Sequence, residues 1–462
     1  MSEEPSNSQV YDVPALLEAQ RGHFDSGRTR NLENRIQVLK NLGTAIEQQS
    51  DALIEALSAD MGKPPVESYL SEIFFLLSEI RLVTKRLRRW SRPRRVRNPF
   101  YFFPSRSEVR REPYGTTLII SAWNYPLQLS LAPAVSAIAA GNVVMLKPSE
   151  SAPHTARLIA KIISSVFDKE HFAVIEGGPE IGRALLNEKF DCWFYTGSER
   201  IGRLYAEAAA KAIAPITLEL GGKCPCVISP DVNLDIAVQR IVSGKFLNAG
   251  QTCIAPDFVV LPETLQESFI EKATAALQSA YPECPSPDLA KIVSQEHYER
   301  LSNLIPDGAI RIGKDHPELR YLTPTLIPDV SWDSPAMQEE IFGPVLPVLT
   351  YQSLDELLLH LRKLPSPLAL YAFSKDSTFL EAIANAIPSG SVCFNDVLKQ
   401  ATNLNLPFGG VGASGMGRYR GQAGFENFTY ERAVTRRGFS RDLFAVTPPY
   451  ENRLEQLKKF LK

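Results

Sequence analysis

The stretch "NAGQTCIAPDF", residues 248–258, places one cysteine, Cys253, in a loop of small and polar residues. Such a run has little bulk with which to bury a sulfur for packing alone. Cys253 is open to four readings: core residue, disulfide half, metal ligand or nucleophile. No histidine stands near it in the sequence, so nucleophilic use needs another source of activation. Two carboxylates have matching interest. Glu219, in "LELGGK", ends an apolar stretch, where a carboxylate is costly to bury without a partner or a purpose and can serve as a base near neutral pH. Glu340, in "QEEIFGP", is a second candidate base, or else a surface residue entering a strand. Asn124, in "AWNYP", has an amide that can donate to an oxyanion, or it is a turn residue before Pro126.

Other residues suit a nucleotide. "TGSERIG", 196–202, follows an apolar stretch and opens a helix. Gly197 there allows a phosphate close to backbone N–H groups, and Ser198 can cap the helix. Read alone, the segment binds a phosphate or is an ordinary helix cap. It is not a Walker loop, and no GxGxxG follows a strand. In "MLKPSE", Lys147 and Glu150 can hold ribose hydroxyls or form a surface turn at Pro148.

These residues need elements to position them. Residues 30–90 carry apolar side chains at three- and four-residue spacing, which predicts helices. Phe74 and Phe75 fall on that stripe, as core residues or as a tunnel wall. From 114 onward, "TTLIISAWN", "NVVMLKPSE", "FAVIEGG", "DCWFYTGS" and "PITLELGG" alternate with helical stretches. That pattern predicts βαβ units and a parallel sheet, whose strand ends are where ligands bind. A helix around 235–247, "DFVVLP", "LQESFIEKATAALQ", "GPVLPVLTY", "LDELLLHLRKL", "ALYAFS" and "GSVCFND" predict a second α/β unit. The span Leu127–Leu146 is too interrupted for a membrane crossing and reads as a buried helix running into a buried strand.

Composition narrows the classes. The 462 residues, 44% hydrophobic and 22% charged, suit a globular chain of two or three domains. The net charge of −2 gives no global attraction to nucleic acid or anionic membrane. Eight of the thirteen residues 85–97 are Lys or Arg. That run reads as a basic patch or, more simply, as a solvated helix end leading to an exposed edge. The six cysteines (192, 224, 226, 253, 284, 393) lack a framework spacing, which points to a reducing compartment. The six histidines form no zinc pattern. The acidic, polar start is not a signal peptide, and the end carries no apolar tail, so a cytoplasmic location is expected.

In order, "SAWNYP", "LKPSE", "FYTGSERIG", "LELGGK", "NAGQTC", "EEIFGPVLPV" and "LPFGGVGASGMG" span most of the chain. Together they resemble the aldehyde dehydrogenase superfamily, and their contexts are most similar to its class 3 or fatty-aldehyde branch. The resemblance implies a Rossmann-like parallel-sheet cofactor domain, a second α/β catalytic domain and a small β oligomerisation segment. It places the cofactor domain at 1–94 and 113–219 and the catalytic domain at 220–424. The oligomerisation strands fall at 95–112 and 425–445, with a tail at 446–462. It implies NAD(P)-dependent oxidation of an aldehyde to an acid through a thiohemiacetal and thioester on Cys253. Asn124 would hold the oxyanion. Glu219, or in competition Glu340, would steer the hydrolytic water.

For the cofactor the resemblance implies Trp123, Lys147, Glu150, Gly197, Ser198, Gly202, Leu220, Gly221, Glu340 and Phe342, with NAD favoured over NADP and no metal. Tyr125 and Thr252 would flank the substrate. Ser243 stands where many class 3 members have tryptophan, which points to medium- or long-chain, aromatic or other bulky apolar aldehydes, apocarotenals and retinal included. A homodimer without nucleic acid or a membrane anchor is expected. The alternatives are a CoA-acylating enzyme, disfavoured by Glu219, and a non-catalytic NAD-binding protein on the same fold.

Overall fold

The apolar, β-branched stretches form strands buried on both faces, as parallel strands sandwiched by helices must be. The computed structural model describes residues 11–439, 448–450 and 453–460, without the side chain of Phe460. The first ten residues of the 1–94 span lie outside the described residues. So do 440–447, 451–452 and 461–462 of the spans 425–445 and 446–462.

The first sheet has the order Gly415–Met416, Ile216–Glu219, Cys192–Thr196, Thr116–Ile120, Val143–Lys147, Phe172–Val174. All neighbours are parallel except the outermost pair, where Gly415 lies opposite Glu219. Strand order reverses between Thr116–Ile120 and Cys192–Thr196. The crevice at their carboxyl ends is where such sheets take ligands. The helix Pro126–Ala140 between two of these strands is buried throughout and stops at Gly141, whose φ of 101° suits a glycine. This is the buried helix and strand expected for 127–146.

The second sheet runs Ile310–Arg311, Thr325–Ile327, Val345–Tyr351, Phe258–Pro262, Pro225–Ile228, Ala369–Phe373, Ser391–Phe394. Only its first pair is antiparallel. The third sheet is antiparallel and peripheral: Arg94–Val96, Ser105–Pro113 and Thr429–Arg437. The basic run is thus the exposed end of the helix Phe75–Trp90 leading into an exposed edge strand.

One expectation is corrected here. Phe75 is buried, but Phe74 is 46% exposed and does not join the core. The cause is a π-helical turn, Tyr69–Phe74, inserted before the helix Phe75–Trp90. The wider turn rotates the apolar stripe. It carries Glu72 inward, where the carboxylate pairs with Lys63 at 2.5 Å. Glu72 Oε2 also accepts the free N–H groups of Leu127 (2.8 Å) and Gln128 (3.2 Å) at the start of the helix Pro126–Ala140.

Candidate active site

Asn124 lies in the loop after the strand Thr116–Ile120. The Cys253 loop reaches it because Asn248, Ala249 and Gly250 take left-handed backbone, with φ of 54°, 53° and 73°. Two consecutive non-glycine residues in that region mark a strained turn held by its surroundings. The hold is visible. Asn248 Nδ2 donates to the carbonyl of Asn124 at 2.9 Å. Asn124 Nδ2 donates to the carbonyl of Gln251 at 3.1 Å. The Gln251 amide bonds to Asn248, Lys291 and Val293, and Tyr125 Oη shares a proton with Thr252 Oγ1 at 2.6 Å. A Cβ at Gly250 would overlap the carbonyl of Gly343, so the "EEIFGP" loop closes on the same point.

Glu219 ends its strand buried, and neither carboxylate oxygen has a hydrogen-bond partner among the described residues. Burial pushes its pKa well above the carboxylate range, opposed by the positive charges of Arg420 and Arg418. Glu340 lies across the site with its carboxyl against Gly221, where a Cβ would overlap it. Burial and the charge of Asp257 push Glu340 up to about 8, while the Gly222 N–H, Lys223 and Lys245 pull the other way. Burial, Glu340 and Glu219 push the Cys253 thiol up to about 12, against Arg420 and its own backbone N–H. The thiol, the hydrogen-bonded Asn124 amide and two carboxyls whose pKa burial raises thus belong to strand ends and loops joined by these contacts, and no histidine is among the groups acting on Cys253.

Comparison with known proteins identifies the family. The model of the aldehyde dehydrogenase family matches residues 3–434. The chain belongs to the aldehyde dehydrogenase family. It is similar to the 4,4'-diaponeurosporen-aldehyde dehydrogenase of Staphylococcus aureus, at 41% identity over 96% of this chain and 97% of that one. Human aldehyde dehydrogenase family 3 member B1 is 41% identical over 89% of each chain. Among solved structures, substrate-bound S. aureus AldH superposes with a TM-score of 0.94 at 40% identity, covering 98% of this chain and all of that one. The indole-3-acetaldehyde dehydrogenase of P. syringae in complex with NAD+ gives 0.84 at 27% identity, over 92% and 88%.

The enzyme's remaining expected residues fall in two places. At the carboxyl ends of the first sheet, Lys147 is buried and pairs with Glu150 at 2.7 Å. A Cβ at Gly197 would overlap Tyr195 Oη, and Gly202 packs its helix against Tyr195 and Leu220. Ser198 stands before the helix Glu199–Ala212, but its hydroxyl makes no cap hydrogen bond, which corrects that expectation. Tyr195 Oη instead donates to the Ser198 carbonyl at 3.2 Å. The uncapped helix start and the bare Gly197 fit a pyrophosphate. Trp123 meets Phe342 edge-on at 5.4 Å, between the two sheets' loops. Ser243 is separate from these clusters: it is exposed on the helix Leu234–Phe246 that leads to the cysteine loop.

Sequence reasoning missed the residues that hold this aldehyde dehydrogenase's loops in place. Lys223 pairs with buried Asp257 and donates to the carbonyls of Ala336 (2.8 Å) and Glu339 (2.9 Å), while Asp257 accepts the Ile341 N–H at 2.9 Å. Together they pin the loop that carries Glu340. Lys63 donates to the carbonyl of Asn124 at 2.9 Å. Lys223 and Asp257 sit inside the quoted motifs; the only available signal was a charged residue in an apolar context. Lys63 and Glu72 gave none. No helix among the described residues is long and apolar enough to cross a membrane.

Proposed function

We propose that this aldehyde dehydrogenase oxidises medium- to long-chain or bulky apolar aldehydes to acids with Cys253 as nucleophile, and that Glu219 steers the hydrolytic water. The observation carrying this reading is the stitching of the Cys253 loop to Asn124 through the carbonyls of Gln251 and Asn124. The thiolate adds to the aldehyde carbon, and the Asn124 amide and the Cys253 N–H receive the oxyanion. NAD(P), when bound, accepts the hydride. The remaining thioester is cleaved by water whose proton passes to Glu219. Glu219 is preferred because its carboxyl is buried with both oxygens unengaged, whereas Glu340 accepts the Gly222 N–H.

Lys147 and Glu150 would hold the adenine ribose. Gly197, Ser198 and Gly202 would receive the pyrophosphate. Trp123, Leu220, Gly221, Glu340 and Phe342 would surround the nicotinamide end. The Lys147–Glu150 pair supports NAD, since the carboxylate opposes a 2′-phosphate. The substrate class is supported by apolar side chains beside the cysteine loop. Glu67 accepts the Asn248 N–H at 2.8 Å, and Val66, Tyr69, Leu70 and Phe74 around it are exposed. Tyr125 and Thr252 would shape the inner end, and Ser243, exposed on the helix Leu234–Phe246, would bear only on the outer approach. We assign 1–94 with 113–219 to cofactor binding, 220–424 to catalysis and 95–112 with 425–445 to dimer formation. Six free thiols support a reducing, cytoplasmic setting.

The test is NAD(P)H formation with an aldehyde series and both cofactors. Wild type should gain kcat/KM with apolar chain length, and C253A should form none. Retained activity in C253A sinks the nucleophile assignment, and kcat/KM that falls with length sinks the substrate class.

A further inference from the structure

The helix Leu234–Phe246 delivers the chain to the cysteine loop, and it ends in an uncommon way. A left-handed residue just past a helix commonly returns its N–H to that helix's last carbonyls. Here Leu247 is extended, with ψ of 132°, and swings the left-handed Asn248 away from its own helix. The Asn248 N–H donates instead to Glu67 Oε2 at 2.8 Å, a residue 181 positions earlier in the chain. Glu67 stands half-buried on the short helix Pro65–Ser68. A carboxylate held partly out of water is costly unless it is bonded. The Asn248 N–H is the one hydrogen-bond donor to this carboxylate among the described residues. Lys63, on the same segment, is committed elsewhere: it pairs with Glu72 at 2.5 Å and donates to the Asn124 carbonyl at 2.9 Å.

Asn248 is gripped at both ends. Glu67 holds its N–H, and its side-chain Nδ2 donates to the carbonyls of Asn124 (2.9 Å) and Gln251 (3.2 Å). The segment 63–67 thus reaches both loops of the site, with Lys63 on Asn124 and Glu67 on Asn248. The turn it steadies needs such a hold, because consecutive left-handed non-glycine residues relax toward ordinary backbone when their surroundings let go. A carboxylate suits the task, since a hydrogen bond to an ionised acceptor is roughly twice as strong as a neutral one. We propose that Glu67 is a positioning residue for the nucleophile: by holding the Asn248 N–H it fixes the left-handed turn that carries Cys253 to the Asn124 loop. Its effect on the reaction runs through that turn and not through contact with the reacting atoms. Without the bond the Asn248 N–H turns to water or to its own helix, and Cys253 shifts with it.

The inference rests on the reading of Cys253 as nucleophile. Its test is the burst of NADH in stopped-flow with saturating NAD and decanal. The rate constant of the burst reports attack and hydride loss, and its amplitude counts competent sites. E67A should slow that rate constant by about 10- to 100-fold, as a displacement of about 1 Å does. Its KM for decanal should stay within about threefold of wild type, because the lost interaction belongs to the reacting geometry and not to binding. E67Q presents an amide oxygen to the same N–H and should keep the burst within about threefold of wild type. E67M fills the space without an acceptor, so it serves where E67A folds poorly, and it should be as slow as E67A. A burst at the wild-type rate constant in E67A or E67M overturns the proposal, even where melting temperature and amplitude fall, since that is the mark of a purely stabilising contact. An E67Q as slow as E67A overturns it too, as does a change confined to KM. Failure of the nucleophile reading shows separately, as NADH formation by C253A.

Discussion

Glu219 and Glu340 both act electrostatically on the Cys253 thiol, and their surroundings differ. Glu219 has no donor to hold its charge, so its carboxylate fraction grows as pH rises through its elevated pKa. Hydrolysis in the wild type should therefore quicken with pH along a limb that E219Q lacks. In E219Q a burst of about one NADH per site should survive while steady turnover falls by on the order of 10²–10⁴. Stopped-flow fluorescence separates the two phases, and an unslowed steady rate moves the base to Glu340. Glu340 offers a stability test. Its carboxyl holds a proton to about 8 in the folded chain and to about 4.5 when free. Between these values the unfolded chain ionises first, so stability is full below about 4.5 and declines as pH rises toward 8. E340Q should match the wild-type melting temperature near pH 4.5 and exceed it by about 2–4 °C near pH 8. A constant difference between the two pH values contradicts this. The sequence exposed Glu219 through its apolar context and Glu340 only as a second candidate in its motif, and it ranked Glu219 first by a small margin, because a firmer ranking depends on which N–H groups reach each one.

At the level of elements, the device that places Asn124 is assembled from distant segments. The π turn Tyr69–Phe74 delivers Glu72 to Lys63, Lys63 bonds the Asn124 carbonyl, and Glu72 anchors the next helix by its first N–H groups. E72A strips a buried ammonium of its partner and should cost about 3–5 kcal/mol. The double variant K63M/E72M should regain most of that stability while kcat stays low, since the Asn124 loop has lost its clamp. Thermal melts beside kcat and KM decide this; full recovery of kcat in the double variant shows that the pair only stabilises. This device was not legible beforehand, because an extra residue in a helical turn leaves the apolar spacing of the sequence almost unchanged. Strands rich in Val, Ile and aromatic residues were legible. Pro225–Ile228, an interior strand of the second sheet, was not, since "KCPCVI" carries a proline and two cysteines where β-branched residues usually signal a strand. Gly415–Met416 was hidden for a simpler reason: glycine leaves no side-chain pattern to read.

For the molecule as a whole, the exposed strand Arg94–Val96 leaves one edge of the peripheral sheet open, and the long pairing of Ser105–Pro113 with Thr429–Arg437 gives that sheet a stable base. Open edges invite pairing with another chain. Light scattering should find a dimer at micromolar concentration, and a stable monomer there contradicts the assignment of 95–112 and 425–445. Order of the motifs along the chain was enough to foresee the family and both large sheets. It was not enough to foresee how they are joined, and that joint has a consequence. The antiparallel neighbours Ile216–Glu219 and Gly415–Met416 enclose nearly two hundred residues of chain, so the whole second sheet is topologically an insertion in a hairpin of the first. Its entrance and exit meet at Glu219. Bending of one body against the other at that neck would shift Glu219, the residue proposed to steer the hydrolytic water, together with Gly415 beside it.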